Sequence, residues 1–257
     1  DDLDGSRLLA HAEQAAADWG SVIQDNWTMD IDLYYADEPI VGTTTASIRT
    51  DFQTTLVNGR RRVLTGTIRV FDEIEAWYDP TPGDNSEFSL ATQRLLSEAT
   101  PASAAGVAVD SGDASLLELG YELSANSQIA ANQFDLLTIM RHEIGHLMGF
   151  NQRIVADHGS DFFIIPPELL GDAKIRVFGG GHLVSQGPLM SQSSAGGVRR
   201  EISATDVVVA TAGSGWEDLH LERVDYLGPA SGPTNFTIGT NWLGGQSPDP
   251  AAAVSVR

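Results

Sequence analysis

The stretch FDLLTIMRHEIGHLMGF at residues 134–150 constrains this chain more than any other, because it lays a metal-ligand spacing over a helical period of apolar residues. Phe134, Leu137, Met140, Ile144, Leu147 and Met148 recur at three- and four-residue intervals, so a helix with one buried face is expected. Asn132 is the expected N-cap, with Asp135 three residues on as in a capping box, and Gly149 is the expected C-terminal stop. His142 and His146 then stand one turn apart, where both imidazoles reach a single ion, and Glu143 projects toward the neighbouring coordination position. Zinc takes such neutral nitrogens, and three protein ligands with a fourth position left to water separate a catalytic site from a structural one. At ordinary usage of His and Glu, this HExxH pattern arises by chance in roughly one chain per hundred of this length. The apolar flanks favour the zinc reading over two solvated histidines, since the rest of the helix is core.

At 257 residues the chain can bury one sizeable core, or a main domain with a small appendage. Thirty-five acidic residues against 15 basic give a net charge of -20, which argues against nucleic acid or anionic lipid as a partner and suits cation binding. There is no cysteine, so disulfides stabilise nothing and thiol chemistry does not reveal the compartment. No apolar run approaches the roughly 18 residues of a membrane span. The opening DDLDGS lacks the basic and apolar regions of a signal peptide, as a secreted chain does after cleavage.

Residues 6–23 (SRLLAHAEQAAADWGSVI) read as an amphipathic helix backing a sheet, with His11 as a packed or solvated side chain rather than a ligand. Residues 27–35 alternate as a strand with one wet face. Arg60, Arg61 and Arg62 follow the hairpin signal Asn58-Gly59 and read as the solvated start of a strand, with a further β run over residues 63–77. Residues 78–88 form a loop. There Asp79, Asp84, Asn85 and Glu87, like Asp110 and Asp113 further on, carry oxygens of the kind calcium takes. Neither stretch has EF-hand spacing, and acidic turns are usually only solvated. Residues 89–99 read as a short helix and 116–123 as a strand.

After Phe150 the chain turns irregular, with Pro166, Pro167 and glycines at 179–181. His182 precedes Met190 by eight residues, and a helix beginning near Ser203 ends before Trp216. From Gly228 the composition shifts to Gly, Pro, Ser, Thr and Asn, as in the opening of a β-rich module or in a flexible tail. The expected division is 1–150 for the part carrying the motif helix, 151–227 for a second subdomain, and 228–257 for the tail.

HEIGHLMGF, followed much later by a histidine and an L-M turn, resembles the metzincin clan of zinc endopeptidases. The clan's usual motif is HExxHxxGxxH/D, and Gly149 matches the glycine that turns the chain toward the third ligand. Gln152 stands where most members have His or Asp, and an amide oxygen is a weak zinc ligand. Leishmanolysin-like members, and similar secreted bacterial proteins with HEIGHxLGF, insert a segment after the glycine and take the third histidine from just ahead of the methionine turn. That resemblance implies His142, His146 and His182 as zinc ligands, Glu143 as general base and Met190 as the methionine beneath the metal. His158 and then Gln152 are the next choices for the third ligand.

Periodicity alone supports mixed α and β. The resemblance implies an α+β zincin with a twisted, mixed and mostly parallel sheet, a backing helix, the active-site helix, and an irregular C-terminal subdomain with one helix. It further implies peptide-bond hydrolysis by a metal-activated water, a polypeptide substrate bound extended along a sheet edge, and a location outside the cell. Two other classes are weighed beside it. A gluzincin would use a downstream glutamate such as Glu168, but has no need of Gly149 or Met190. A silent zinc-containing surface or adhesion protein has no need of Glu143.

Overall fold

The computed structural model describes residues 5–36, 46–48, 52–71, 76–95, 121–126, 133–157, 162–164, 174–178, 181–183, 189–192 and 195–219. The tail expected from residue 228 lies outside them. In chain order the first elements are α1 (Ser6–Val22), β1 (Asp30–Ala36), β2 (Ala46–Ile48), β3 (Gln53–Val57), β4 (Arg60–Phe71), β5 (Ala76–Trp77), β6 (Phe88–Leu95) and β7 (Tyr121–Ala125). Then come β8 (Phe134–Asp135), α2 (Leu136–Met148), α3 (Gln152–Asp157), β9 (Phe162–Ile164), β10 (Lys174–Phe178), β11 (His182–Leu183), β12 (Val198–Arg200) and α4 (Ala204–Ser214). The chain is an α+β protein.

Strand β4 is the centre of the largest sheet. β1 runs parallel to it, from Asp30 opposite Thr65 to Ala36 opposite Phe71. β3 returns antiparallel through Asn58 and Gly59, whose φ values of 50 and 77 are those of a two-residue hairpin turn. The register skips Leu64, with Gln53 facing Thr65 and Thr54 facing Val63. The inward residues accordingly change parity, from Val63 to Gly66, Ile68 and Val70, as a bulge requires. Gly66 gives room to the motif helix: a β-carbon there would lie 2.6 Å from Leu147 Cδ2.

The mostly parallel sheet implied by the resemblance does not form among the described residues. Among the described strands only β1–β4 and β5–β8 pair in parallel, the other six pairings are antiparallel, and the strands fall into four small sheets. Parallel neighbours need a crossover of a dozen or more residues, whereas β3 meets β4 through a tight turn. The helix expected at 89–99 is also corrected as far as it is described: β6 is a strand paired with β7, Phe88 opposite Ala125 and Leu95 opposite Tyr121. Its Ala and Leu content favours helix locally, but pairing and burial of Phe88 against Trp77 win. β12 then adds to the other side of β7, Arg200 opposite Glu122.

The core lies between α1, β4, α2 and α4. α1 buries Leu8, His11, Ala15, Trp19 and Val22, one stripe at helical spacing. α2 is buried all round except at His142, so the expectation of one buried face understates it. Its N-cap is Asp135 in place of the expected Asn132, which lies outside the described residues; Asp135 accepts from Thr138 N at 3.0 Å and Thr138 Oγ1 at 2.7 Å. Gly149 closes the helix, and a β-carbon there would stand 2.8 Å from the backbone oxygen of Ala210, so α4 crosses on bare backbone. Val207, Val208, Val209 and Ala210 of α4 are fully buried.

Arg60 is exposed, and Arg61 makes a surface pair with Asp157 at 2.6 Å. Arg62 departs from the expected solvated start of the strand. It is buried, pairs with Asp25 at 2.9 Å, donates to Ser214 O and Gly215 O, and lies 4.3 Å over the Trp216 ring. Among the described residues no helix is long and apolar enough to cross a membrane.

Candidate metal centre

The helical repeat puts His142 and His146 on one side of α2, with ring centroids 4.8 Å apart. β11 brings His182 against both, at 5.2 Å from His142 and 4.7 Å from His146. One ligand atom from each of the three lies within 4.8 Å of the others, and the two Nε2 atoms of His142 and His182 are 3.2 Å apart. Nitrogens about 2.0 to 2.1 Å from one tetrahedral ion stand roughly 3.4 Å from each other, so this pair already has a chelating separation. Among the described residues this is the one group of three or more metal-capable side chains.

The tautomers follow from the partners. His142 Nδ1 meets Leu189 O at 2.8 Å, and His146 Nδ1 meets Phe150 O. A carbonyl only accepts, so each Nδ1 carries the hydrogen and each Nε2 keeps a lone pair facing the cluster. Burial pushes the His142 pKa down to about 3, helped by the neighbouring charges of His182 and Arg200. Burial likewise lowers His182 to about 4 and holds His146 well below its ordinary value. All three are neutral near pH 7, the form that ligates.

His182 is delivered by its flanks. Leu183 N donates to Met190 O at 2.9 Å. On the other side Gly181, at φ +80, packs directly on the Phe150 carbonyl where no side chain fits. Met190 is fully buried beneath α2, its sulfur against Gly145. Leu189 N and Met190 N both donate to the Asp206 carboxylate, at 3.3 and 3.1 Å. Asp206 also closes a capping box with Ser203 at the start of α4. Burial raises its carboxyl to about 6, against the bonds from Ser203, Met190 and Leu189 that lower it.

Glu143 is buried on the same helix between His142 and His146, and its Oε2 has no hydrogen-bond partner. Burial pushes its carboxyl up to about 8. Three imidazole lone pairs next to an unsatisfied carboxyl fit a borderline cation such as zinc, and do not fit calcium or magnesium, which take oxygen.

The other candidates lie elsewhere. Gln152 is exposed and begins α3. His158, Glu168, Asp110 and Asp113 lie outside the described residues. His11 is packed: its Nδ1 meets Arg7 O at 2.7 Å and its Nε2 accepts from Asp79 N at 3.0 Å. Of the calcium candidates, Asp79 and Asn85 bind the Arg199 guanidinium at 2.6 and 3.1 Å, and Asp84 caps Ser86 N at 3.0 Å. Sequence reasoning missed Asp206 and Asn151, which hold the backbone around the ligands. Ser203-x-x-Asp206 is a readable cap pattern, but nothing in it announces a bond to residues 189 and 190. Comparison with protein-family models, curated proteins and solved structures finds no match.

Proposed function

We propose that this chain is a zinc-dependent endopeptidase of metzincin type, resembling the leishmanolysin-like and matrixin-like secreted bacterial branch in its ligand order. The observation that carries the reading is the buried Glu143 carboxyl, its Oε2 without a hydrogen-bond partner, beside three convergent neutral imidazoles. A structural zinc site is closed by four protein ligands and has no use for such a group. Met190 packed under Gly145, and α1 backing α2, supply the support this type of site needs.

His142, His146 and His182 would hold a zinc ion, which would supply a Lewis acid to polarise a carbonyl and ease deprotonation of water. Glu143 takes a proton from the attacking water as its oxygen bonds to the carbonyl carbon. The same carboxyl returns that proton to the amide nitrogen as the C–N bond breaks, regenerating the base. Burial alone raises the Glu143 carboxyl to about 8, and a cation beside it would draw that value back down toward the range where a general base works. Leu189 O and Phe150 O hold the two helix histidines in the ligating tautomer. The substrate is a polypeptide bound extended, its backbone pairing with a strand edge, and the site of action is outside the cell.

The test is hydrolysis of a peptide library with and without a chelator, for the parent and for Glu143→Ala. The expected result is chelator-sensitive cleavage restored by zinc, with Glu143→Ala retaining its zinc and losing at least about 100-fold in rate. A variant cleaving like the parent would remove the mechanism. A parent that holds zinc and cleaves nothing would favour a silent surface protein, and loss of zinc in Glu168→Ala would favour the gluzincin arrangement.

A further inference from the structure

The peptide unit joining Phe150 to Asn151 touches two of the three histidine-bearing segments. Its carbonyl oxygen takes the Nδ1 hydrogen of His146. The same unit fills the space beside Gly181: a β-carbon there would overlap Phe150 O and lie 2.9 Å from Asn151 N. Gly181 immediately precedes His182. One peptide therefore orients a ligand from α2 and seats the backbone that delivers the ligand from β11.

Asn151 holds that peptide in place. It is buried, at 6% exposure. Its Nδ2 donates to His146 O at 2.9 Å, while its Oδ1 accepts from Ile154 N at 3.1 Å as the cap of α3. Its own carbonyl accepts from Val155 N at 2.9 Å. The two ends of one amide thus tie the last turn of α2 to the first turn of α3, with the Phe150–Asn151 peptide fixed between them.

We propose that Asn151 is a positioning residue of the metal centre: by locking that peptide it sets the ring orientation of His146 and the seat of His182, and so strengthens metal binding without touching the metal. The proposal rests on reading the three histidines as a metal site. Groups that orient metal ligands in this way are typically worth about 10- to 100-fold in affinity.

The two roles of the amide separate experimentally. Asn151→Ser keeps an oxygen that caps α3 but cannot reach His146 O, whereas Asn151→Ala loses both ends. Zinc affinity is measured by competition with a chromophoric chelator, together with the urea midpoint of the metal-free protein. Asn151→Ser is expected to bind zinc about 10- to 100-fold more weakly, with a metal-free midpoint lowered less than that of Asn151→Ala. The visible spectrum of its cobalt form is expected to shift. Gln152→Ala, exposed and one residue on, changes neither. Parent-like zinc affinity in Asn151→Ser overturns the proposal. So does a loss of affinity seen only in Asn151→Ala and matched by a fall in its midpoint, which would make Asn151 a fold residue. A parent that binds zinc and cleaves no peptide removes the peptidase reading and leaves Asn151 in its role, while a parent that binds no zinc removes both.

Discussion

Met190 lies directly beneath Gly145, its sulfur in the space a β-carbon on that glycine would take. The methionine therefore meets α2 on bare backbone, in the turn between the two motif histidines. Trp19 closes the same spot, its Cζ2 3.0 Å from the β-carbon position.

This contact fixes the sign of Gly145→Ala. In an open helix the change would stabilise by about 0.5 to 1 kcal/mol. Here a β-carbon would meet the Met190 sulfur and Trp19, both buried, and overpacking costs about 1 to 3 kcal/mol. Net destabilisation is expected in urea titrations. Adding Met190→Ala should recover part of it, so that the double variant costs less than the two singles together. A Gly145→Ala protein more stable than the parent would show that the methionine is not held there.

On the proposed reading, zinc would compete with protons for the three imidazoles, and burial tilts that competition. A lowered pKa keeps the ligating form available to lower pH, and His142 and His182 sit at about 3 and 4. Three histidines at the ordinary value would each lose roughly 30-fold in availability by pH 5. Zinc affinity at pH 5 is accordingly expected within about tenfold of its value at pH 7.5, by chelator competition at each pH. A fall of about 1000-fold or more would mean that the histidines titrate as exposed ones.

Arg199 is the hub of a buried charge cluster. It has no exposed surface, contacts Asp79 at 2.6 Å and Asp135 at 2.9 Å, and donates to Asp84 O at 2.6 Å. Asp135 is also the cap of α2, so the cluster fixes the start of the motif helix. Arg199→Met would leave two buried carboxylates without their cation, costing about 3 to 5 kcal/mol. Lysine cannot reproduce the planar fork and should recover little. Urea midpoints check this, and Asp79→Asn in the Arg199→Met background should restore part of the loss. An Arg199→Met protein as stable as the parent would show that the cluster is not needed.

What could be read from the chain beforehand follows from how local each signal is. His142, Glu143 and His146 lie within five residues of one helix, so spacing alone exposes them. His182 is 40 positions from His142, and only the family resemblance, through its distance from Met190, singles it out. The carbonyls of Leu189 and Phe150 carry no residue-type signature at all, though they decide the tautomers. In sequence Asp79 and Arg199 look like solvated charges and Asp135 like part of a helix cap, and only the fold brings the three together. The strand at Phe88–Leu95 was hidden for a similar reason, since its pairing with β7 is a long-range fact.

His11 carries the last expectation, an acid-dependent loss of stability. It is buried as a neutral ring with Nδ1 donating to Arg7 O and Nε2 accepting from Asp79 N, so a second ring proton would set donor against donor. Burial is the largest cause lowering its pKa below 6.5; the Arg7 bond and the charges of Asp135 and Asp79 oppose it, and Arg199 reinforces it. Below pH 6.5 the unfolded chain therefore binds more protons than the folded one. The contribution is present above that pH and is lost as pH falls toward the folded value. His142, His146 and His182, also lowered by burial, slope the same way in metal-free protein, so the parent must be compared with His11→Gln under identical conditions. The variant is expected to be less stable by about 1 to 3 kcal/mol at pH 8, from the buried bonds it loses. That deficit should narrow between pH 6.5 and 5.5, because glutamine does not titrate. Urea titrations at pH 8, 6.5 and 5.5 measure it, and a deficit that stays constant across the three would show that His11 takes no part in the acid dependence.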